Sequence, residues 1–189
     1  MARNIEIKAR IASVAALLPL VAGIADQGPF ALTQDDTFFQ CPNGRLKLRA
    51  FSENSGELIF YQRPDQTGPK TSFYRISPTD APASLRDALT LAYGTIGRVR
   101  KQRTLFLVGR TRIHLDQVEG LGDFLELEVV LGDAETETAG RAVADDLIAA
   151  LDIRPEQLLA AAYLDLLAEA RPCEDSVANP SRDDETPSA

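Results

Sequence analysis

Polar and apolar residues alternate with a period of two along most of this chain, and helical spacing interrupts the alternation at a few places. In Asn4-Ile5-Glu6-Ile7-Lys8-Ala9-Arg10 the polar residues fall at even positions and the apolar ones at odd positions, the pattern of a half-buried strand. The period then changes. Ser13 can cap a helix running to about Ala25, and Pro19 inside it costs roughly 3 kcal/mol in a straight helix, so a kink or an end is expected there. Gly28-Pro29 is read as closing this unit. Strands are predicted over Phe30 to Cys41, Arg45 to Arg49, Glu57 to Arg63 and Lys70 to Ile76, with Asn43-Gly44 as a hairpin turn and Pro64 to Pro69 as a loop. PASLRDALTLAY, Pro82 to Tyr93, reads as a helix stopped by Gly94. Three further strands are predicted, Thr95 to Gly109, Arg110 to Val118 and Phe124 to Leu131, then two helices, Thr136 to Leu151 and Pro155 to Glu169. About eight strands joined mostly by short turns, with a few helices, make an α+β antiparallel protein.

Side chains two apart on a strand share a face. Glu6 therefore lies beside Lys8, Lys47 beside Arg49, Lys101 beside Arg103, and Glu126 beside Glu128; Arg110, Arg112, His114 and Asp116 line one face of their strand. Several opposite faces are apolar, as in Leu46 and Leu48, or Leu125, Leu127, Val129 and Leu131. A sheet with one wet and one dry face would explain this. The charged faces are dominated by Arg and Lys with a few carboxylates, however, and an eight-stranded sheet can close into a barrel. If the apolar face packs outward against helices, the charges line a lumen, which must hold something polyanionic because unpaired buried charge is costly. Arg and Lys suit phosphate oxygens, and carboxylates in the same space suit a hard divalent cation, Mg²⁺ or Mn²⁺.

Charge distribution agrees. The net charge is −8, yet residues 43–114 hold thirteen Lys/Arg against five Asp/Glu, and residues 115–189 hold four against nineteen. An acidic protein with a basic middle argues against general nucleic-acid binding and for a local anion site. Cys41 and Cys173 are far apart and form no CxxC pair, so no zinc site or disulfide framework is indicated, which suits a reducing cytoplasm. Motifs of P-loops, zincins and nucleophile elbows are missing. No apolar run has the length of a membrane-spanning helix. The uncharged stretch Ile11 to Ala25 invites reading as a secretory leader; its removal would delete Asn4, Glu6 and Lys8 with a whole strand and leave an open edge, so the segment is expected to belong to the folded protein. Residues 1–171 are expected to form one domain and 172–189 a disordered acidic tail.

The block KQRTLFLVGRTRIHLDQVEGLGDFLELEVVL, Lys101 to Leu131, with Asn4-Ile5-Glu6-Ile7-Lys8, resembles the CYTH domain of class IV adenylyl cyclases and thiamine triphosphatases, the triphosphate tunnel metalloenzymes. The resemblance implies a closed eight-stranded antiparallel barrel, open as a tunnel that binds a triphosphate with Mg²⁺ or Mn²⁺, and homodimers in some members. By position it implies Glu6, Glu126 and Glu128 as metal ligands and Asp116, Glu126 and Lys101 as catalytic groups. Lys8, Lys47, Arg49, Arg63, Lys70, Lys101, Arg103 and Arg112 would bind substrate. Three positions depart from the family pattern. Asn4 stands where a Glu is usual, keeping an oxygen and losing a charge; Tyr61-Gln62-Arg63 occupies a place where many relatives carry Lys; and Lys70-Thr71-Ser72-Phe73-Tyr74 replaces a frequent Lys-x-Arg-x-Glu. The implied reaction is conversion of ATP to cyclic AMP and pyrophosphate, with triphosphate hydrolysis, or binding without turnover, as the alternatives. His114 is read as structural, and Arg98 and Arg100 as surface residues.

Overall fold

The computed structural model describes residues 3–62 and 70–170, with the side chains of residues 70–72 left out. Eight strands and four helices follow in the order β1 (Arg3–Arg10), α1 (Val14–Ile24), β2 (Gln27–Phe39), β3 (Arg45–Ser52), β4 (Ser55–Gln62), β5 (Lys70–Thr79), α2 (Pro82–Tyr93), β6 (Thr95–Val108), β7 (Thr111–Val118), β8 (Gly122–Leu131), α3 (Glu137–Ala150) and α4 (Tyr163–Ala170). All ladders are antiparallel, and the strand order β1-β5-β4-β3-β2-β6-β7-β8 returns to β1, which pairs with both β5 and β8. Every strand thus has two neighbours, so among the described residues there is no edge strand.

Closure sends alternate side chains of every strand inward or outward. The main hydrophobic core lies outside the ring. Ile5, Ile7, Ile113, Leu115, Leu125, Leu127 and Val129 point out from β1, β7 and β8 and are buried under Leu17 and Val21 of α1 and Ala144 of α3. The apolar run after Arg10 is thus a barrel-covering helix. Its first amide is satisfied by Asp123, whose Oδ2 accepts from Val14 N at 2.7 Å, and not by the Ser13 side chain. Pro19 sits inside the helix without ending it. Gly28-Pro29 does not close this unit: it lies within β2, at a register shift against β6.

The other departure is at the C-terminal end. Pro155 to Glu169 is not one helix: a short 3-10 turn covers Pro155–Gln157, extended chain follows, and α4 begins only at Tyr163. The extended piece is held by β1, with Leu158 bridged to Ala9 and Leu159 N donating to Lys8 O at 2.9 Å. These bonds need an extended backbone, so they overrule the helix propensity of the Leu-Leu-Ala-Ala-Ala run. α4 then seats against β6 at Gly97, where any side chain would collide with Leu164. Among the described residues no helix is long and apolar enough to cross a membrane. Residues 171–189 and Arg63 lie outside the described residues.

Candidate active site

The inward faces enclose a cavity of about 180 Å³. Six cations line it, Lys8, Lys47, Arg49, Lys101, Arg103 and Arg112, together with five carboxylates, Glu6, Asp36, Glu57, Glu126 and Glu128. Ladder registers bring them together: Glu6 lies opposite Glu128, Lys8 opposite Glu126, Arg112 opposite Glu128, and Asp36 opposite Arg49. Lys70 is in register with Glu6 through the backbone. Arg110 does not share the cavity with Arg112. It sits in the β6–β7 turn and pairs with Glu135 outside. Arg98 and Arg100 also lie outside, against Asp35.

Arg103 is the hub. Its Nε and Nη2 donate to the two oxygens of Asp116 at 2.6 and 2.7 Å, and Nη2 also donates to Glu126 Oε2 at 2.7 Å. Asp116 is fully enclosed beneath the cavity and additionally accepts from Lys101 Nζ at 3.2 Å and from the Tyr163 hydroxyl at 2.9 Å. In this position it braces the cations and does not line the open space. Burial works to raise the pKa of Asp116, and the charges of Arg103 and Lys101 more than reverse this, leaving it ionised far below the usual carboxylate range. Glu126 behaves in the same way, its burial outweighed by Lys8 and Arg103.

A second brace was not legible in the sequence. Asp36, 3% exposed, accepts from Lys47 Nζ at 2.7 Å and from Arg49 Nε and Nη2 at 2.8 Å each, so one buried carboxylate holds two cavity cations in place. Tyr163 was missed as well. From the first turn of α4 it closes the cavity floor, with Lys8 Nζ 3.6 Å and Lys101 Nζ 5.0 Å from its ring centroid. The parity of Gln34-Asp36-Phe38 is the only signal that could have exposed Asp36; nothing local distinguishes Tyr163.

His114 is neutral. Burial, followed by the charge of Arg103, pushes its pKa down to about 4, so its approach to Glu128 at 3.8 Å is not an ion pair at neutral pH. Lys101 is the unusual cation: burial, then the neighbouring Arg103, push its pKa down to about 7 from 10.5. Between those two values the unfolded chain binds more protons than the folded one, so stability should rise with pH across this window. Thermal melting of the ligand-free protein is expected to show that rise, and Lys101→Met to flatten it. An unchanged slope in the variant would mean that Lys101 stays protonated.

The oxygen donors fit a hard cation in kind. Asn4, 3% exposed, lines the cavity beside Glu6, and its Oδ1 is buried with no hydrogen-bond partner. Among the described residues, no three His, Cys, Asp or Glu side chains form a ready-made metal cage.

Comparison with known proteins agrees with this geometry. The chain is 25% identical over 175 residues to adenylate cyclase CyaB of Aeromonas hydrophila, covering 88% of this chain and 90% of that one. The PH1012 protein of Pyrococcus horikoshii has the same fold, with a TM-score of 0.76 at 20% identity over 86% of this chain and 98% of that one. So does HpAC1 of Hippeastrum, a proposed adenylyl cyclase with a dominant triphosphatase activity, with a TM-score of 0.61 at 15% identity over 92% and 98% of the two chains. Residues 2–160 match the CYTH domain, and the chain belongs to that family.

Proposed function

We propose that this protein is a divalent-metal-dependent enzyme acting on a nucleoside triphosphate, converting ATP to cyclic AMP and pyrophosphate inside the barrel, which serves as a triphosphate tunnel. One observation carries the reading: six cations suited to phosphate oxygens share a cavity with Glu6, Glu126, Glu128 and the unpartnered Asn4 oxygen. Similarity to a relative named as an adenylate cyclase supports the choice of reaction, and the cytoplasm is the compartment where ATP would be met.

Glu6, Glu126 and Glu128, with Asn4, would hold Mg²⁺ or Mn²⁺. When bound, the ion neutralises phosphate charge and favours in-line displacement. The chain's own groups do the rest. Arg112, 44% exposed at the mouth, meets the incoming phosphates; Lys8, Lys47, Arg49 and Arg103 hold their oxygens, with Arg63 and Lys70 as further members of that set. Asp36 and Asp116 are positioning residues. By orienting Lys47, Arg49, Lys101 and Arg103 before substrate arrives, they reduce the reorganisation needed at the transition state. Lys101 Nζ, with its pKa near 7, can take up a proton, the step that activation of a ribose 3′-hydroxyl requires. Glu126 orients Arg103 on the side facing the ligand.

The test is phosphorus NMR of the protein with ATP and Mg²⁺ or Mn²⁺, run beside Glu126→Gln. The expected products are cyclic AMP and pyrophosphate, lost in the variant. ADP with orthophosphate would replace the cyclase by a triphosphatase, in which the same groups direct water to the terminal phosphate. Shifted ATP resonances without product would reduce the protein to a nucleotide-binding module.

A further inference from the structure

The cavity is not charged all round. Where β4 and β5 form its wall, the inward residues are Glu57, Ile59, Tyr61, Tyr74 and Ile76, all but the first uncharged. The ladder sets Ile59 directly opposite Ile76 and Tyr61 directly opposite Tyr74, so the four side chains make one contiguous patch. In the strand order β4 and β5 lie across the ring from β7 and β6, which carry Arg112, Arg103 and Lys101. One wall is built for anions and the facing one for something apolar and flat.

Tyr74 and Ile76 are not core residues. Tyr61 packs against the cluster that forms the cavity floor. Among the described residues, neither core cluster includes Ile59, Tyr74 or Ile76. Ile59 is 7% exposed, while Ile76 at the mouth remains 48% exposed. An open, inward-facing isoleucine beside a half-buried tyrosine is apolar surface waiting to be covered. A purely inorganic polyanion gains nothing from such a wall; further Lys or Arg would serve it better. Lys47 joins the two halves, with its Nζ 5.7 Å from the Tyr61 ring centroid while it pairs with Asp36.

We infer that the Ile59–Tyr61–Tyr74–Ile76 wall is the docking surface for the organic end of the substrate, selecting organic over inorganic triphosphates and reading the base only weakly. This rests on the triphosphate reading above. Stacking on an aromatic side chain is sequence-tolerant, since every base offers a π-face. The four residues of this patch present only two phenol hydroxyls for hydrogen bonding and no amide side chain, and the Glu57 carboxylate lies beyond Ile59 along β4. Purine bases are therefore held by their faces, and their edges are hardly distinguished.

The experiment is calorimetric titration of the full chain, in Mg²⁺, with ATP, GTP and inorganic tripolyphosphate. ATP and GTP are expected to bind within about threefold of each other, and Tyr74→Ala to lower affinity for ATP roughly tenfold more than affinity for tripolyphosphate. Ile76→Ser, at a half-exposed site where folding is not at stake, should move the same ratio in the same direction by a smaller factor. Equal losses for ATP and tripolyphosphate in both variants would overturn the inference, as would wild-type binding of tripolyphosphate as tight as ATP. The outcomes separate from those of the catalytic proposal. A selectivity that depends on Tyr74, with no turnover of any triphosphate, sustains the wall and sinks the enzyme; turnover of ATP and tripolyphosphate alike, indifferent to Tyr74, does the reverse.

Discussion

Arg103→Lys is expected to lower turnover of ATP roughly 10²–10³-fold, the range seen when one preorganised donor to a developing negative charge is lost. Lys keeps the charge but not the fork. Arg103 uses two nitrogens on Asp116 and shares one of them with Glu126, and a single ammonium cannot reproduce that planar arrangement. The variant should still fold, because Asp116 keeps the Lys101 and Tyr163 bonds and a cation remains beside it. Steady-state kinetics with a melting curve on the same sample would check this. A loss in kcat with modest change in KM is expected; activity within about threefold of wild type would make Arg103 a strut of the barrel wall.

The second large effect is on stability. Asp116→Asn should cost about 3–5 kcal/mol, because among the described residues Asp116 is the one anion paired with both Lys101 and Arg103, and its loss leaves Glu126 alone to offset buried positive charge there. Tyr163→Phe, which deletes only the hydroxyl bond to Asp116, should cost about 1 kcal/mol. Urea unfolding of the two variants and of the double variant, without nucleotide, closes the cycle. The two costs should not add, since both act on the same carboxylate. If Asp116→Asn costs less than about 1 kcal/mol, the floor cations are compensated from elsewhere and the bracing role assigned to Asp116 fails.

Much of the site was legible because strand parity is a local property. Glu6 with Lys8, Lys47 with Arg49, Lys101 with Arg103, and Glu126 with Glu128 each reach the cavity as pairs, as spacing two apart requires. Arg110 failed that test: the strand begins one residue later than its alternation implied, and a turn residue obeys no parity. Asp36 was lost between two equivalent-looking acids. Asp35 turns outward to Arg98 and Asp36 inward to Arg49, and only pairing with β3 and β6 decides which acid faces which way.

The sequence by itself determined the strand and helix periods, the segregation of charge onto one face of many strands, and the family signature that named a triphosphate and a metal. Those features depend on neighbours within a few residues, where backbone geometry fixes side-chain direction. Tertiary structure alone decided that Tyr163 forms the floor, that Asp36 and Asp116 brace the cations, and that one wall is apolar. Tyr163 is placed by hydrogen bonds from the preceding segment to β1, roughly 150 residues away in sequence. The apolar wall exists because ring closure sets β4 and β5 across from the charged strands β6 and β7, and closure belongs to all eight ladders together.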